Sequence, residues 1–381
     1  MSDEILKVLR RLISPVLFSL LFTFLLGEIV FRIYTPVELP LPGLGRPDSL
    51  LGYTMRPGYR GRQRSREYNV KIRTNSLGLR GTEPDTSQKR KNILILGDSF
   101  TFGHGVAEEQ TYANCLQEKL DKVEPGAYQV INAGVMGYDN VQELRFLERW
   151  ERTFHPALVV LAVYPSNDLL DNLLTEETRA MNLQREAESR NFLVRQSRFL
   201  WVLKRAAENL KGKARYRHGT DPQAIARSQH LLIPELSAES DPNLAVMDSI
   251  LAEFQNLAKE HHFIPLVLLI PSRLQFNPSD QVLTTKLIPD YTLDFNRPTS
   301  LVEAMADRRK IPCLNLEKCF RGTSAPERCF FKFDKHFNAE GHARTAEFLF
   351  QEIFRIASAE DSAEAYDPAE PTQGVSAQPA R

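Results

Sequence analysis

Cysteine is scarce in this chain of 381 residues, which has four, with no Cys-x-x-Cys pair and no histidine nearby at zinc-site spacing. A structural metal site is therefore not expected, and we predict no metal and no cofactor. A charge excess is also lacking, because 48 Lys and Arg balance 48 Asp and Glu. No global field draws the chain to nucleic acid, so no nucleic-acid partner is expected. No internal repeat is evident.

Two of the cysteines leave an alternative open. Cys319 and Cys329 flank the short loop FRGTSAPER. In an oxidising compartment they are able to form a disulfide, whereas the sequence is equally consistent with two free thiols.

Charge is absent from one further stretch, Leu12 to Gly27, and apolar residues then continue to Tyr34. These about 23 residues exceed the ~20 that a helix needs to cross a bilayer. The run is preceded by basic residues, namely Lys7, Arg10 and Arg11. By the positive-inside rule, the N-terminus is expected in the cytoplasm and the rest outside, which is the periplasm in a Gram-negative cell. A cleaved signal peptide is the alternative, but no small-x-small site follows the run.

The chain is expected to divide into four parts. Residues 1–34 form a cytoplasmic stub and a single-pass anchor, in which Glu28 and Arg32 are spaced to pair. Residues 35–90 begin with a Pro- and Gly-rich extended linker, up to Gly61, and end in a flap with a strand at Tyr68 to Arg73. Residues 91–358 form the main domain, with a helical insertion at about 169–242. Residues 359–381 are expected to be a disordered tail.

The main domain alternates strands and helices. Strands are expected in NILIL, YQVINAG, ALVVLAVYPSND, FIPLVLLIPSR and PCLNL, and helices at 108–123, 139–154, 243–262, 300–309 and 339–357. The third strand is apolar throughout, as in strands covered on both faces. This alternation predicts an α/β fold with a mostly parallel sheet and right-handed crossovers.

Ligands of open parallel sheets bind beyond the carboxyl ends of the strands, and four sequence segments supply an acyl-transfer site there. Ser99 follows the first strand as a candidate nucleophile, and His336 is the candidate base, oriented by Asp334. The backbone N–H groups of Ser99 and Gly134 and the side-chain amide of Asn167 are candidate oxyanion donors. Each of these residues has a simpler alternative role. Ser99 and Asn167 are alternatively helix caps, Gly134 is alternatively a turn residue, and Asp334 and His336 are alternatively a surface pair.

Two common motifs do not fit. Thr101 stands where the second glycine of a G-x-S-x-G elbow would be, and no Gly-Lys-Ser/Thr phosphate loop follows. Four blocks instead resemble those of the SGNH (GDSL-like) hydrolases: ILGDSFTFG, NAGVMGY, YPSND and DKHFNAEGH. The resemblance covers about 92–168 and 263–357. It implies a flavodoxin-like three-layer α/β/α sandwich, ester cleavage or transfer, catalytic Ser99, His336 and Asp334, and an oxyanion hole of Ser99, Gly134 and Asn167.

The sequence departs from that family pattern twice. Pro165 holds the place of a glycine two residues before Asn167, and Lys335 alone separates Asp334 from His336. The resulting D-x-H spacing is similar to that of periplasmic alginate-type O-acetyltransferases. This similarity favours acyl transfer onto a polysaccharide, whereas hydrolysis is the broader default of the family. We expect a membrane-anchored esterase acting through an acyl-Ser99 intermediate on an ester-bearing substrate, such as an acylated glycan or lipid. The alternatives are an O-acyltransferase that modifies an extracytoplasmic polysaccharide and an inactive glycan-binding scaffold.

Several residues outside the four blocks carry weaker expectations. His104 is a candidate lining residue, His342 is expected in the first turn of the last helix, and His155, His261 and His262 are expected to be structural. The basic, amphipathic stretch SRFLWVLKRAAENLKGK is expected either to rest on a membrane surface or to pack apolar side chains on the core, namely Phe199, Val202 and Leu203.

Overall fold

The computed structural model describes residues 3–34, 41, 43–173, 197, 199–200, 202–203, 206–207, 230–236 and 241–364. The strands are β1 Gly45–Asp48, β2 Gly52–Met55, β3 Arg60–Arg64, β4 Asn69–Arg73, β5 Lys91–Gly97, β6 Tyr128–Gly134, β7 Pro156–Val163, β8 Ile264–Leu269 and β9 Cys313–Asn315. The helices are α1 Asp3–Tyr34, α2 Ser99–Phe102, α3 Tyr112–Val123, α4 Asn140–Phe154, α5 Asp168–Asp171, α6 Pro242–His261, α7 Pro278–Leu287, α8 Arg297–Arg308, α9 Leu316–Arg321 and α10 Ala339–Glu364.

Five parallel strands form the central sheet, in the order β6-β5-β7-β8-β9. Counted from β5, this is the 2-1-3-4-5 order of flavodoxin-like folds. In β5, Leu94 and Leu96 pack into one core and Ile93 and Ile95 into the other. Helices therefore cover both faces, and the three-layer α/β/α prediction is confirmed. The strand order reverses between β5 and β7, so ligands are expected beyond the ends of these strands.

The segment before the sheet differs from the sequence expectation. An extended linker was expected up to Gly61, but β1 pairs with β2 and β3 pairs with β4 as two antiparallel hairpins. This part of the prediction is wrong, because the Pro- and Gly-rich composition reflects tight turns rather than an unpacked chain. Apolar side chains anchor the first hairpin in the main core, including Leu51, Tyr53 and Met55.

Helix α1 is long and apolar enough to cross a membrane between Ser14 and Arg32. Arg32 Nε donates to Glu28 Oε1 at 2.7 Å, so the expected pair is present. Glu28 Oε2 also accepts from Ser197 Oγ at 2.7 Å and from the backbone N–H of Phe199 at 3.0 Å. The Phe199 ring packs on Phe24 and Phe31 of α1, with centroids 5.7 and 6.0 Å away.

The expectation that Phe199 packs on the domain core is therefore wrong, because its ring contacts α1 instead. Leu203 is 48% exposed, which removes it from the core as well. Most of the expected insertion lies outside the described residues.

The C-terminal helix α10 runs to Glu364, beyond the expected end at Ala357, so residues 359–364 are helical rather than tail. The sequence from 359 onward is rich in alanine and glutamate, which favour helix, and this explains the extension. Residues 365–381 of the expected tail lie outside the described residues. Cys319 and Cys329 are free thiols.

Candidate active site

The turn after β5 presents Ser99 at the first position of α2. Asp98 is the N-cap, and its Oδ1 accepts from the backbone N–H of Phe100 at 2.8 Å. The simpler alternative of Ser99 as the helix cap is thus wrong, because Asp98 fills that role. Gly97 has φ +156°, and a Cβ there would lie 1.9 Å from Thr101 Oγ1. The turn therefore requires glycine before Asp98 and leaves the Ser99 hydroxyl free of capping.

Ser99, His336 and Asp334 form one hydrogen-bonded chain. Ser99 Oγ lies 2.8 Å from His336 Nε2, and His336 Nδ1 lies 2.5 Å from Asp334 Oδ1. Because an ionised carboxylate only accepts, Nδ1 carries the imidazole proton, and Nε2 is left to accept from the serine. Burial raises the pKa of Asp334, but hydrogen bonds from His104 and His336 outweigh it and hold this pKa well below the usual range. The carboxylate therefore stays ionised at neutral pH.

The backbone conformation of Lys335 explains how Asp334 and His336 can contact each other with only one residue between them. Its φ is +75°, a left-handed conformation that folds the backbone back on itself. Asp334 and His336 are thereby turned to the same side, and Asp334 Oδ1 also lies 3.4 Å from the backbone nitrogen of His336. A short D-x-H loop can therefore form the same side-chain contact as a longer one.

The hairpin formed by β3 and β4 braces this loop through Glu67. Its carboxylate accepts backbone N–H groups at 2.7, 3.0 and 2.9 Å, from Lys332, Phe333 and Asp334 respectively. Tyr68 donates its hydroxyl to Asp334 Oδ2 at 2.7 Å. The residues that hold the acid in place thus come from the N-terminal segment.

Arg80 fixes the other side of the site. It is 2% exposed, and its guanidinium donates to backbone carbonyls of the loop that follows Ser99, namely those of Phe102, Gly103 and Val106. Burial lowers the pKa of Arg80 to about 10, which leaves it charged at neutral pH. These charge-assisted hydrogen bonds tie the loop after Ser99 to the N-terminal segment.

Gly134 lies opposite Gly97 in the register of β5 and β6, at the same end of the sheet as Ser99. Its N–H donates to Asn132 Oδ1 at 3.0 Å. A Cβ at Gly134 would lie 2.3 Å from the backbone nitrogen of Phe102. The missing side chain therefore allows β6 to pack closely on α2.

Asn167 follows β7 and precedes α5. It holds the N-cap position of α5, as the cap alternative expects, but its side chain makes no capping hydrogen bond. Its Oδ1 is buried, and no hydrogen-bond partner for it occurs among the residues that the structure describes. An oxyanion accepts hydrogen bonds, so the atom of Asn167 that can serve it is the amide nitrogen and not the buried oxygen. The position of Asn167 after β7 places this residue at the same end of the sheet as Ser99.

Three carboxyl groups are buried beneath this edge of the sheet: Asp98, Glu143 and Asp168. Desolvation by burial raises the pKa of each. Asn140 Nδ2 donates to both Glu143 Oε2 and Asp168 Oδ2, at 2.9 and 3.1 Å. Asp98 thus caps the helix that carries Ser99, and Asn140 links Glu143 to Asp168.

One set of metal-ligating side chains is found within the described ranges, namely His104, Asp334 and His336, whose ligand atoms lie within 4.8 Å of one another. The two imidazoles are stacked, with centroids 4.3 Å apart and an interplanar angle of 22°. Imidazole lone pairs lie in the ring plane, so stacked rings direct them side by side rather than at one ion. The set does not fit a metal.

Four other histidines of the described residues lie at structural positions: His155, His261, His262 and His342. His342 lies in α10, and its Nδ1 accepts from the backbone N–H of Tyr112 at 3.2 Å. Burial lowers the pKa of His342 to about 3, so it is neutral. His155 and His262 end helices in left-handed conformations. His261 Nδ1 lies 3.2 Å from Glu151.

An α/β/α domain with a hydrogen-bonded serine, histidine and aspartate at its switch point has the arrangement of a serine hydrolase. The family model described as the GDSL-like lipase/acylhydrolase family matches residues 95–344. The chain belongs to this family and is an enzyme that hydrolyses ester bonds. Comparison with curated proteins gives no match.

The chain is also similar to several solved structures. TesA is 16% identical and covers 69% of this chain and 98% of its own, with a TM-score of 0.37. A lipase/acylhydrolase from Enterococcus faecalis is 12% identical; the match covers 69% of this chain and 95% of that one, with a TM-score of 0.39. The acetyl xylan esterase AlAXEase is 17% identical; the match covers 68% of this chain and 98% of that one, with a TM-score of 0.37.

Sequence reasoning missed the supporting residues of the N-terminal segment, which are Glu67, Tyr68 and Arg80. Tyr68 and Asp334 are separated by 266 positions, and no motif links them. Asn132 was also missed as a support, although it stands in the same block as Gly134.

Proposed function

We propose that this protein is a membrane-anchored serine esterase that cleaves an acyl ester through an acyl-Ser99 intermediate. The observation that supports it is the 2.8 Å contact between Ser99 Oγ and His336 Nε2, with Asp334 2.5 Å from the opposite ring nitrogen. Free serine is a poor nucleophile, and a base within hydrogen-bond reach is what activates it.

In the proposed reaction, Ser99 Oγ bonds to the acyl carbon while its proton passes to His336 Nε2. Asp334 stabilises the imidazolium that forms. The tetrahedral intermediate then expels the alcohol, which takes the proton from Nε2. Water next attacks the acyl-enzyme and gives a proton to His336. The acid is released and Ser99 regains its proton.

The developing oxyanion needs hydrogen-bond donors. We assign this role to the backbone N–H groups of Ser99 and Gly134 and to the Asn167 amide. The Gly134 N–H already donates to Asn132, so an oxyanion would share this donor with Asn132 or replace it. Asn167 requires no such exchange of a capping bond.

The assay uses the full-length protein in detergent with p-nitrophenyl acetate. Ser99→Ala is expected to lose activity by at least about 10³-fold, since it removes the nucleophile. Ser249→Ala, which removes an exposed hydroxyl on α6, serves as the control and should match the wild type. Equal rates for Ser99→Ala and the wild type would contradict catalysis and favour the inactive scaffold.

An O-acyltransferase is the second candidate, favoured by the D-x-H loop with its left-handed Lys335. It shares the acyl-Ser99 step and differs in the acceptor, because a sugar hydroxyl replaces water. A bare glycan acceptor added to the assay separates the two. Acyl-glycan formation that exceeds hydrolysis would establish transfer, and release of free acid alone would establish hydrolysis.

The membrane part of the proposal is supported by α1, which is apolar between Ser14 and Arg32. We propose a cytoplasmic N-terminus and an extracytoplasmic catalytic domain, where acylated glycans or lipids are potential substrates. The protein should stay in the membrane pellet after a carbonate wash. Protease added to spheroplasts, whose outer membrane has been opened, should then digest the domain; complete protection would reverse the orientation.

A further inference from the structure

We propose that His104 is a positioning residue, which Gln63 keeps neutral so that it can hold Asp334 without competing for the charge that His336 acquires. This role rests on the proposed function of the same site. His104 is 4% exposed and stacks on His336, with ring centroids 4.3 Å apart.

The Asp334 side of the His104 ring determines which nitrogen carries a proton. His104 Nε2 lies 3.2 Å from Asp334 Oδ2 and 2.9 Å from the Tyr68 hydroxyl. Tyr68 already donates its proton to Asp334 Oδ2. Because the ionised carboxylate can only accept, the Nε2 of His104 must be the donor.

The Gln63 side of the ring determines its charge. Gln63 Oε1 accepts the backbone N–H of Gly105 at 2.9 Å, which fixes the orientation of the amide. Its Nε2 therefore faces the ring, 3.0 Å from His104 Nδ1 and 3.3 Å from His104 Nε2. An amide nitrogen only donates, so Nδ1 is the acceptor and carries no proton. If His104 took a second proton, its Nδ1–H would point at the N–H of Gln63, and two donors would face each other without an acceptor.

The neutral state matters because of the stack. When His336 takes the proton of Ser99 it becomes an imidazolium, and a second imidazolium 4.3 Å away would oppose it by direct repulsion. A neutral His104 avoids that repulsion and still supplies a hydrogen bond to Asp334 Oδ2. Asp334 Oδ1 remains committed to His336, so the carboxylate is held at both oxygens.

The tautomer can be tested without any variant, by ¹⁵N NMR of the full-length protein labelled at histidine side chains. We expect His104 near neutral pH to show one protonated nitrogen, Nε2, and one unprotonated nitrogen, Nδ1. An imidazolium, or a proton on Nδ1, would overturn the proposal. This readout stands even if the esterase assay fails.

Kinetics test the positioning role. His104→Phe keeps a ring on His336 but removes the donor, so kcat should fall about tenfold, the rate equivalent of one hydrogen bond to a charged group, with KM nearly unchanged. His104→Gln restores a donor and should recover most of the loss. The control is His155→Asn, at an exposed left-handed position, which should match the wild type. Wild-type kcat in His104→Phe would refute the role.

Gln63→Glu provides the sharpest variant, because it keeps the shape and the acceptor for Gly105. A carboxylate in place of the amide accepts from Nδ1–H and turns His104 into an imidazolium. We expect kcat to fall about tenfold or more and the two His104 nitrogens to become similar in ¹⁵N shift. An imidazolium with unchanged kcat would refute the need for neutrality. If Ser99→Ala hydrolysed p-nitrophenyl acetate as fast as the wild type, that result would refute the proposed function and not the role of His104.

Discussion

Glu67→Gln tests how the N-terminal hairpin supports the catalytic loop. Glu67 Oε1 accepts from Lys332 N–H, and Oε2 accepts from the N–H groups of Phe333 and Asp334. Glutamine keeps the shape but only one oxygen. Its best orientation keeps the Phe333 and Asp334 bonds and places an amide N–H against the N–H of Lys332.

The magnitude follows from that loss. One charge-assisted bond disappears and two become neutral, at a partly exposed site, which amounts to about 1–2 kcal/mol of unfolding free energy. For a domain of this size the melting temperature should fall by about 2–8 °C. Since the same loop carries Asp334 and His336, a small shift of its backbone should also lower kcat/KM about tenfold.

Thermal melts and p-nitrophenyl acetate kinetics measure both effects. Glu83→Gln is the matched control, because Glu83 lies in the same N-terminal segment and its carboxylate is likewise a hydrogen-bond acceptor. It accepts from Ser76 N and Oγ, at 2.7 Å each. It should lose stability without losing kcat/KM. A Glu67→Gln protein with unchanged kcat/KM would refute the reasoning, and so would an equal activity loss in Glu83→Gln.

Three further predictions concern single residues. Asp334→Asn should lower kcat about 10⁴-fold, because an amide can hold His336 in the wrong tautomer. In urea unfolding, this variant should be less stable than the wild type by the full amount at pH 7. The difference should shrink below about pH 4, where the aspartate of the unfolded wild type becomes protonated. Glu143→Gln should stabilise the protein increasingly as the pH rises above about 4, because burial raises the Glu143 pKa and ionisation is costly in the fold. Gly134→Ala should lower stability by about 1–3 kcal/mol through its clash with α2, whereas Gly322→Ala, whose new Cβ would lie 3.3 Å from the nearest atom, should not.

The sequence was sufficient to predict the sheet and to single out Ser99, His336 and Asp334, which the structure brings into contact, because both depend on local signals. Apolar runs defined the strands of the sheet, and the loops that follow them carry Ser99, Gly134 and Asn167. Asp334 and His336 were found in one short block.

The supports could not be predicted because they arise from tertiary packing. The Pro- and Gly-rich start of the 35–90 segment looked like an unpacked linker. Glu67 and Tyr68 reach the catalytic loop only once the hairpin has docked, and a single sequence contains no record of that contact. The neutral state of His104 likewise depends on Gln63, 41 positions away. For Phe199, amphipathic character predicted burial but did not identify its partner, helix α1.

The most direct test of the acyl-Ser99 claim is intact-protein and peptide mass spectrometry after acid quench of full-length enzyme with p-nitrophenyl acetate. We predict one acetyl group on the peptide that contains Ser99, and none on the same peptide of the Ser99→Ala variant. Turnover by the wild type with no acetyl group on Ser99, together with full activity of Ser99→Ala, would contradict the account.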